Sequence, residues 1–544
     1  MPACAGLVVL ASFLAFAERA AGQEAKPPPA VVPVADDALA EALEAGELTQ
    51  AEYALERARS VFELGKVRRE FGDVARPEAR DTTLILRDLA VRLRQLPPEE
   101  RAAGRGLLAR PTDGNPAPGH SYPPNADVVV SCDERMCIHW ASNQASTDAP
   151  RPFPTWVGTV RSTLETVWDE ELVDLGYRRP LDDSSSAQDD VPTSERPKLD
   201  IYLEDLGDHG LFGYCATDDP AADDPSVFAV SAYCVLDNDY RPGQYGTAHT
   251  AEEFLQVTAA HEFHHAVQFA YDFLEDGWLM EGTATNMEET VYPDVNDNIL
   301  FLEQASQLTY PAVPLDRWGR NDYEYGSWIF WRYLQEKVAK SPGIVREVWE
   351  NADAATATSP DDYSLLAVRN ELAERGRSFP DEYAGFVVAN RLRAYRDGSR
   401  YPSTPTHGRF SLGRNHPTTG WQSSGLDHLS GQFFSFTPAS GAATTAKLVL
   451  DLDLISNTPR ARVISRYKSG KVEVRTVSLG PGATGHLRVP FGRGVVQRVD
   501  LVLANASSRF TCWTADIESP PFYSCLGTPR DDDRLYRFRA THTT

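Results

Sequence analysis

Two hydrophobic rhythms divide the chain. From residue 37 to 110 apolar positions recur at helical spacing, as in Ala51–Glu63 and Thr83–Leu96, with a stop at Pro97-Pro98. A Pro/Gly/Asn-rich stretch, 111–125, follows. The next region mixes both rhythms. Val128–Val130, Cys137–Trp140, Leu199–Leu203 and Val227–Leu236 read as strands, and Thr155–Leu175 as a helix. Helices then dominate, near 250–273, 279–291, 323–339, 343–352, 360–376 and 380–396. Beyond residue 400 the rhythm changes to short apolar runs at Phe433–Phe436, Leu448–Leu454, Val472–Val477, Val499–Leu503 and Leu535–Phe538, with a hairpin signal at Lys468-Ser469-Gly470. The pattern predicts an α+β chain: a helical N-terminal region, a mixed central domain and a C-terminal β-sandwich.

The first residues refine this division. An apolar run, Ala5–Ala17, precedes the small residues Ala20 and Gly22, which predicts a signal peptide over 1–22 even though no Lys or Arg precedes the run. The run is too short to span a bilayer. Residues 23–124 read as a flexible leader, a helical pro-region and a linker. The pro-region is expected either to assist folding or cover the site, or to be a plain structural domain. Residues 125–400 form the mixed domain and 401–544 the sandwich. Without Cys4, six cysteines remain, and nearest-neighbour pairing gives Cys132–Cys137, Cys215–Cys234 and Cys512–Cys525. A secreted or periplasmic chain with no later integral membrane segment is expected. The formal net charge of −25 disfavours nucleic acid and anionic membranes as partners.

The chemistry concentrates in His261-Glu262-Phe263-His264-His265, an H-E-x-x-H pattern. Thr250 and Glu253 form a capping-box pattern that starts its helix. Phe254, Thr258, His261, His265, Gln268 and Asp272 share one face. His261 and His265 can therefore hold one zinc ion, with Glu262 beside it as general base for a water. His264 lies about 100° away and is not counted as a ligand. A catalytic zinc needs a third protein ligand, and Glu281 in Trp278-Leu279-Met280-Glu281-Gly282-Thr283-Ala284 is the candidate, with helix capping as its alternative role. Gly282 and Ala284 are expected to let this helix pack closely on the first. Glu288 and Glu289 read as a solvated face. Calcium is a smaller option at Asp237-Asn238-Asp239 and at Asp294–Asn298, where turn formation is the simpler account.

These residues resemble the gluzincins, the thermolysin-like branch of zinc metallopeptidases, in the group whose third ligand sits in a W-x-x-E-G-x-A setting. The chain also resembles a set of exported bacterial metalloproteases through Tyr233–Tyr240, Val267–Asp272 and Tyr323-Glu324-Tyr325-Gly326. The resemblance covers about residues 125–350. It implies a zincin-like fold, zinc held by His261, His265 and Glu281, and Glu262 shuttling a proton from water to the leaving amine. It implies a Tyr or His that stabilises the oxyanion, for which Tyr325 is the first candidate and Tyr323 the second. It also implies a strand along the cleft, Ala229–Leu236, that could pair with an extended peptide. One departure stands out: Thr285 occupies the position where many gluzincins carry an acid, so support for the histidines must come from Asp272 or a backbone carbonyl. The expected function is a secreted zinc endopeptidase acting on protein or peptide substrates. The alternative is an exported binding or surface protein that keeps the scaffold without cutting.

Overall fold

The computed structural model describes residues 37–77, 80–113, 121–123, 125–144, 146–183, 198–319, 321–355, 362–454, 459–514 and 522–544. The expected signal peptide and leader lie outside these residues. Five helices come first: α1 (Ala38–Glu44), α2 (Gln50–Phe62), α3 (Leu64–Phe71), α4 (Thr82–Arg92) and α5 (Pro98–Leu107). Thr49 and Glu52 close a capping box at the start of α2.

The central region carries β1 (Val128–Cys132), β2 (Met136–Ala141), α6 (Thr155–Trp168), β3 (Leu199–Glu204), β4 (Gly213–Ala216) and β5 (Tyr233–Asp237). These strands form a sheet of order β1-β2-β3-β5-β4. Pairing is parallel from β2 to β5 and antiparallel at both margins. Then follow α7 (Pro242–Tyr245), α8 (Ala251–Phe269), α9 (Gly277–Val291), α10 (Ile299–Gln304), α11 (Tyr323–Gly326), α12 (Trp328–Tyr333), α13 (Ile344–Asn351), α14 (Leu365–Glu374) and α15 (Phe379–Leu392).

Two expectations need correction here, and one strand goes unannounced in the sequence. The strand expected over Val227–Leu236 is confined to β5. Residues 228 and 230 instead bond to the end of the motif helix, Val230 N–H to the Phe269 carbonyl (3.1 Å) and Phe273 N–H to the Phe228 carbonyl (2.7 Å). The outer strand of the sheet is β4, whose four residues gave no legible alternation. The helix expected over 323–339 is divided into α11, α12 and a π turn, Leu334–Ala339. At its bend Gly326 meets the Ala305 carbonyl so closely that a Cβ would stand 1.7 Å from that oxygen.

The last part is β6 (Gly408–Leu412), β7 (Thr418–Leu426), β8 (Ser430–Pro438), β9 (Lys447–Leu454), β10 (Pro459–Tyr467), β11 (Val472–Thr476), β12 (Thr484–Pro490), β13 (Val496–Asn505), the short β14 (Phe510–Thr511) and β15 (Thr528–Pro529), and β16 (Arg534–Thr543). Two sheets, β11-β10-β13-β8-β6 and β12-β9-β16-β7, enclose a core of Leu448, Leu450, Leu452, Leu501, Phe434 and Phe538. The other face of β8 and β13 presents Phe433, Val502 and Ala504 to the central core. Burial on both faces is why these two strands read as nearly continuous apolar runs.

One hydrophobic cluster joins Leu55, Leu86 and Leu89 of the N-terminal helices to Ile138, Val235, Leu255, Trp278 and Phe386. The N-terminal helices thus share a core with the motif helix. The cysteines pair as expected, Cys132–Cys137, Cys215–Cys234 and Cys512–Cys525, in keeping with an oxidising compartment. Among the described residues no helix is long and apolar enough to cross a membrane.

Candidate metal centre

The motif helix α8 begins at the expected capping box, with the Glu253 amide donating to Thr250 Oγ1 (3.2 Å) and the Thr250 amide to Glu253 Oε2 (2.7 Å). α9 returns and packs on it. Together they bring His261 Nε2 to 3.1 Å from His265 Nε2, and Glu281 Oε2 to 3.2 Å from His261 Nε2 and 3.5 Å from His265 Nε2. His261, His265 and Glu281 form the one group of three metal-ligating side chains found among the described residues. All three are buried.

The far nitrogens decide what the near ones can do. His261 Nδ1 lies 2.8 Å from Glu288 Oε1, so it donates to that carboxylate. His265 Nδ1 lies 2.7 Å from Gln268 Oε1. The orientation of this amide is fixed, because Gln268 Nε2 donates to the Met280 carbonyl (2.9 Å) and to Thr283 Oγ1 (3.0 Å). Each imidazole therefore keeps a proton on Nδ1, and in its neutral form turns a lone pair on Nε2 toward the Glu281 carboxylate. Glu281 Oε1 has no hydrogen-bond partner among the described residues. Three electron-rich atoms this close in a buried site repel one another unless a proton or a metal cation lies between them.

Electrostatics agree. Burial works against a charged His261, but hydrogen bonds to Glu281 and Glu288 outweigh it and lift its pKa to about 9. Burial likewise opposes the Glu281 carboxylate, yet the neighbouring His265 and His261 hold its pKa down at about 2. A proton can thus occupy the centre when no metal does. Burial raises the pKa of Glu262, against the pull of His261 and His265.

The surroundings correct several expectations. Glu288 and Glu289 are not solvated: they are 1% and 2% exposed. Glu288 stands two helical turns beyond Glu281 and so lies on the same face of α9. It takes the supporting role sought in Asp272, whose Oδ1 instead accepts the Leu274 amide (2.8 Å). Gly282 does not mediate packing on α8; a Cβ there would meet Ser327 and Trp331 at 2.4 and 2.7 Å, so it admits α12. β5 cannot add a peptide strand, because β3 and β4 pair with both of its edges. The outward edge belongs to β4.

Tyr325 lies near His261, the two rings tilted with centroids 6.2 Å apart, and its hydroxyl donates to Asp81 Oδ1 (2.9 Å). Tyr323 turns away, its hydroxyl bonded to the Tyr310 and Val313 carbonyls. His264 points elsewhere, with Nδ1 2.8 Å from Glu171 Oε2. At the first calcium candidate, Asp237 Oδ1 accepts the Asp239 and Tyr240 amides and Asp239 Oδ1 the Arg241 amide, an Asx-turn arrangement. At the second, Asp297 pairs with Arg80 and His249.

Sequence reasoning missed the residues that cover the site. Thr83 Oγ1 lies 3.1 Å from Glu262 Oε2 and 3.0 Å from the Cys215 amide of β4. Arg80 pairs with Glu288. These contacts join positions far apart in the chain, and no local pattern announces them.

No family model matches the sequence, and no curated protein matches it. Among solved structures, the pre-peptidase C-terminal domain of a Bacillus anthracis collagenase is similar over 26% of this chain and 99% of its own, at 8% identity and a TM-score of 0.15. A family GH115 4-O-methyl-α-glucuronidase is similar over 55% of this chain and 40% of its own, at 9% identity and a TM-score of 0.13. At such scores neither similarity carries an argument.

Proposed function

We propose that the protein is an exported zinc-dependent endopeptidase of gluzincin type. The observation that carries this reading is the convergence of His261 Nε2, His265 Nε2 and Glu281 Oε2 at 3.1–3.5 Å, with Glu262 on the same helix. A tetrahedral ion bonded at about 2.0–2.1 Å separates its ligand atoms by roughly 3.3–3.4 Å, which this set fits.

Bound zinc would polarise the scissile carbonyl and lower the pKa of a coordinated water toward ~7. The chain's own residues would do the rest. Glu262, next in sequence to His261, accepts the proton of the attacking water and returns it to the leaving amine. Burial raises its pKa, which favours its taking up that proton. The Tyr325 hydroxyl, freed from Asp81, is the candidate donor to the oxyanion. The outward edge of β4 offers main-chain groups to an extended peptide. Glu288 and Gln268 keep both imidazoles in the tautomer and orientation that ligation needs.

One observation favours a second reading, an exported binding protein that does not cut. Glu262 is 3% exposed, His261 1%, and His265 and Glu281 0%. Cleavage of a casein or peptide library by the zinc-loaded protein, before and after mild proteolysis, separates the two. The peptidase reading expects cleavage by wild type and none by Glu262→Gln. Equal activity in both proteins, or none in any zinc-loaded preparation, overturns it.

A further inference from the structure

We propose that the start of α4 is a built-in cover of this site, with Thr83 occupying at once the general base and the substrate-pairing edge of β4; the inference rests on the peptidase reading. Its foundation is one hydroxyl with two partners. Thr83 Oγ1 donates to Glu262 Oε2 (3.1 Å) and accepts the Cys215 amide (3.0 Å). In the β4–β5 ladder Cys215 stands opposite Cys234. Its amide points away from β5, so it is the edge group that an extended peptide would bond. While Thr83 holds both groups, neither a water at Glu262 nor a peptide at β4 has its place.

Two neighbours complete the closure. Asp81 Oδ1 accepts the Tyr325 hydroxyl (2.9 Å), engaging the candidate oxyanion donor. Arg80 pairs with Glu288, beside His261. Three successive functions of the site, base, oxyanion donor and histidine support, are thus contacted by the short run from Arg80 to Thr83. Beneath these contacts Glu262 and the three candidate ligands are almost completely buried.

The cover is held from behind. Leu86 and Leu89 of α4 lie in the central core, and Arg87 Nη1 donates to the Glu275 carbonyl (2.8 Å). Arg110, after α5, is buried between Asp183, Asp200 and Asp218. Such anchoring makes spontaneous opening rare and suits release by cutting the chain. The helical segment is then an inhibitor of the domain it packs on.

The test uses the full zinc-loaded chain, with a specific protease site inserted at residues 114–120, and a second full chain carrying Asp81→Ala and Thr83→Ala. Two readings are taken on each: cleavage of a fluorogenic peptide library, and the rate at which a chelator strips the zinc. Thermal melts check that each protein is folded. The cover predicts that the intact chain is slow in both. It predicts that the double variant is faster by about tenfold or more, since one charge-assisted hydrogen bond shifts an open–closed equilibrium by that order. It predicts a larger gain after cutting and removal of the N-terminal piece, with Glu262→Gln losing cleavage but not the change in zinc stripping. An intact chain that cleaves and surrenders zinc as fast as the cut one overturns the cover and leaves the peptidase reading standing. Faster zinc stripping with no cleavage in any form shows that the segment closes over the metal site but overturns the peptidase reading, and with it the inhibitor role.

Discussion

Glu288 Oε1 lies 2.8 Å from His261 Nδ1, two turns beyond Glu281 on the same face of α9. The carboxylate fixes the tautomer of a candidate ligand and is itself paired with Arg80. Glu288→Gln keeps the shape but removes the charge that supports the histidine. Zinc affinity should fall by about 10–100-fold, as for other partners of ligating histidines. A competition titration against a chelator of known affinity measures this, and an unchanged affinity would remove Glu288 from the account.

Gly326 ends α11 and separates it from α12 where the Ala305 carbonyl closes in. A methyl group there has no room, at 1.7 Å from that oxygen, so Gly326→Ala must move the backbone that carries Tyr325. The expected cost is about 1–3 kcal/mol, the range of overpacking. Denaturant titration should show a lower midpoint; a variant as stable as wild type would mean the turn yields freely.

His428 ties the sandwich to the central region. Its Nε2 is 3.0 Å from Asp316 Oδ1 and its Nδ1 2.6 Å from Asp532 Oδ1. Burial disfavours its charge, but the two carboxylates prevail and raise its pKa to about 9, from an ordinary 6.5. A raised folded pKa contributes stability that is complete below the unfolded value and is lost as pH rises through the folded one. The melting temperature of the wild type should therefore decline between pH 6.5 and 9 more than that of His428→Gln. Parallel profiles for the two proteins would show that the pair contributes nothing.

Local chemistry made part of this legible. The capping box at Thr250 and Glu253, the face shared by His261 and His265, and the apolar setting of Glu281 are all short-range patterns. They survive because helix geometry converts spacing directly into direction. Gln268 was visible on the right face, yet its role depends on Met280 and Thr283 across the helix pair. Glu288 was misread because a charged side chain late in a helix is usually solvated, and nothing nearby in sequence told of Arg80. β4 was missed because four residues carry too little alternation. Thr83 and Asp81 were hidden for a deeper reason: long-range hydrogen bonds leave no periodicity.

The most direct test of the central claim is the zinc content of three purified proteins, wild type, Glu281→Ala and Glu262→Gln, measured after equilibration with a slight excess of zinc and removal of the unbound metal. The account predicts stoichiometric zinc in the wild type and in Glu262→Gln, and loss of most of it in Glu281→Ala. A wild type without stoichiometric zinc, or a Glu281→Ala protein that retains it in full, would contradict the site described.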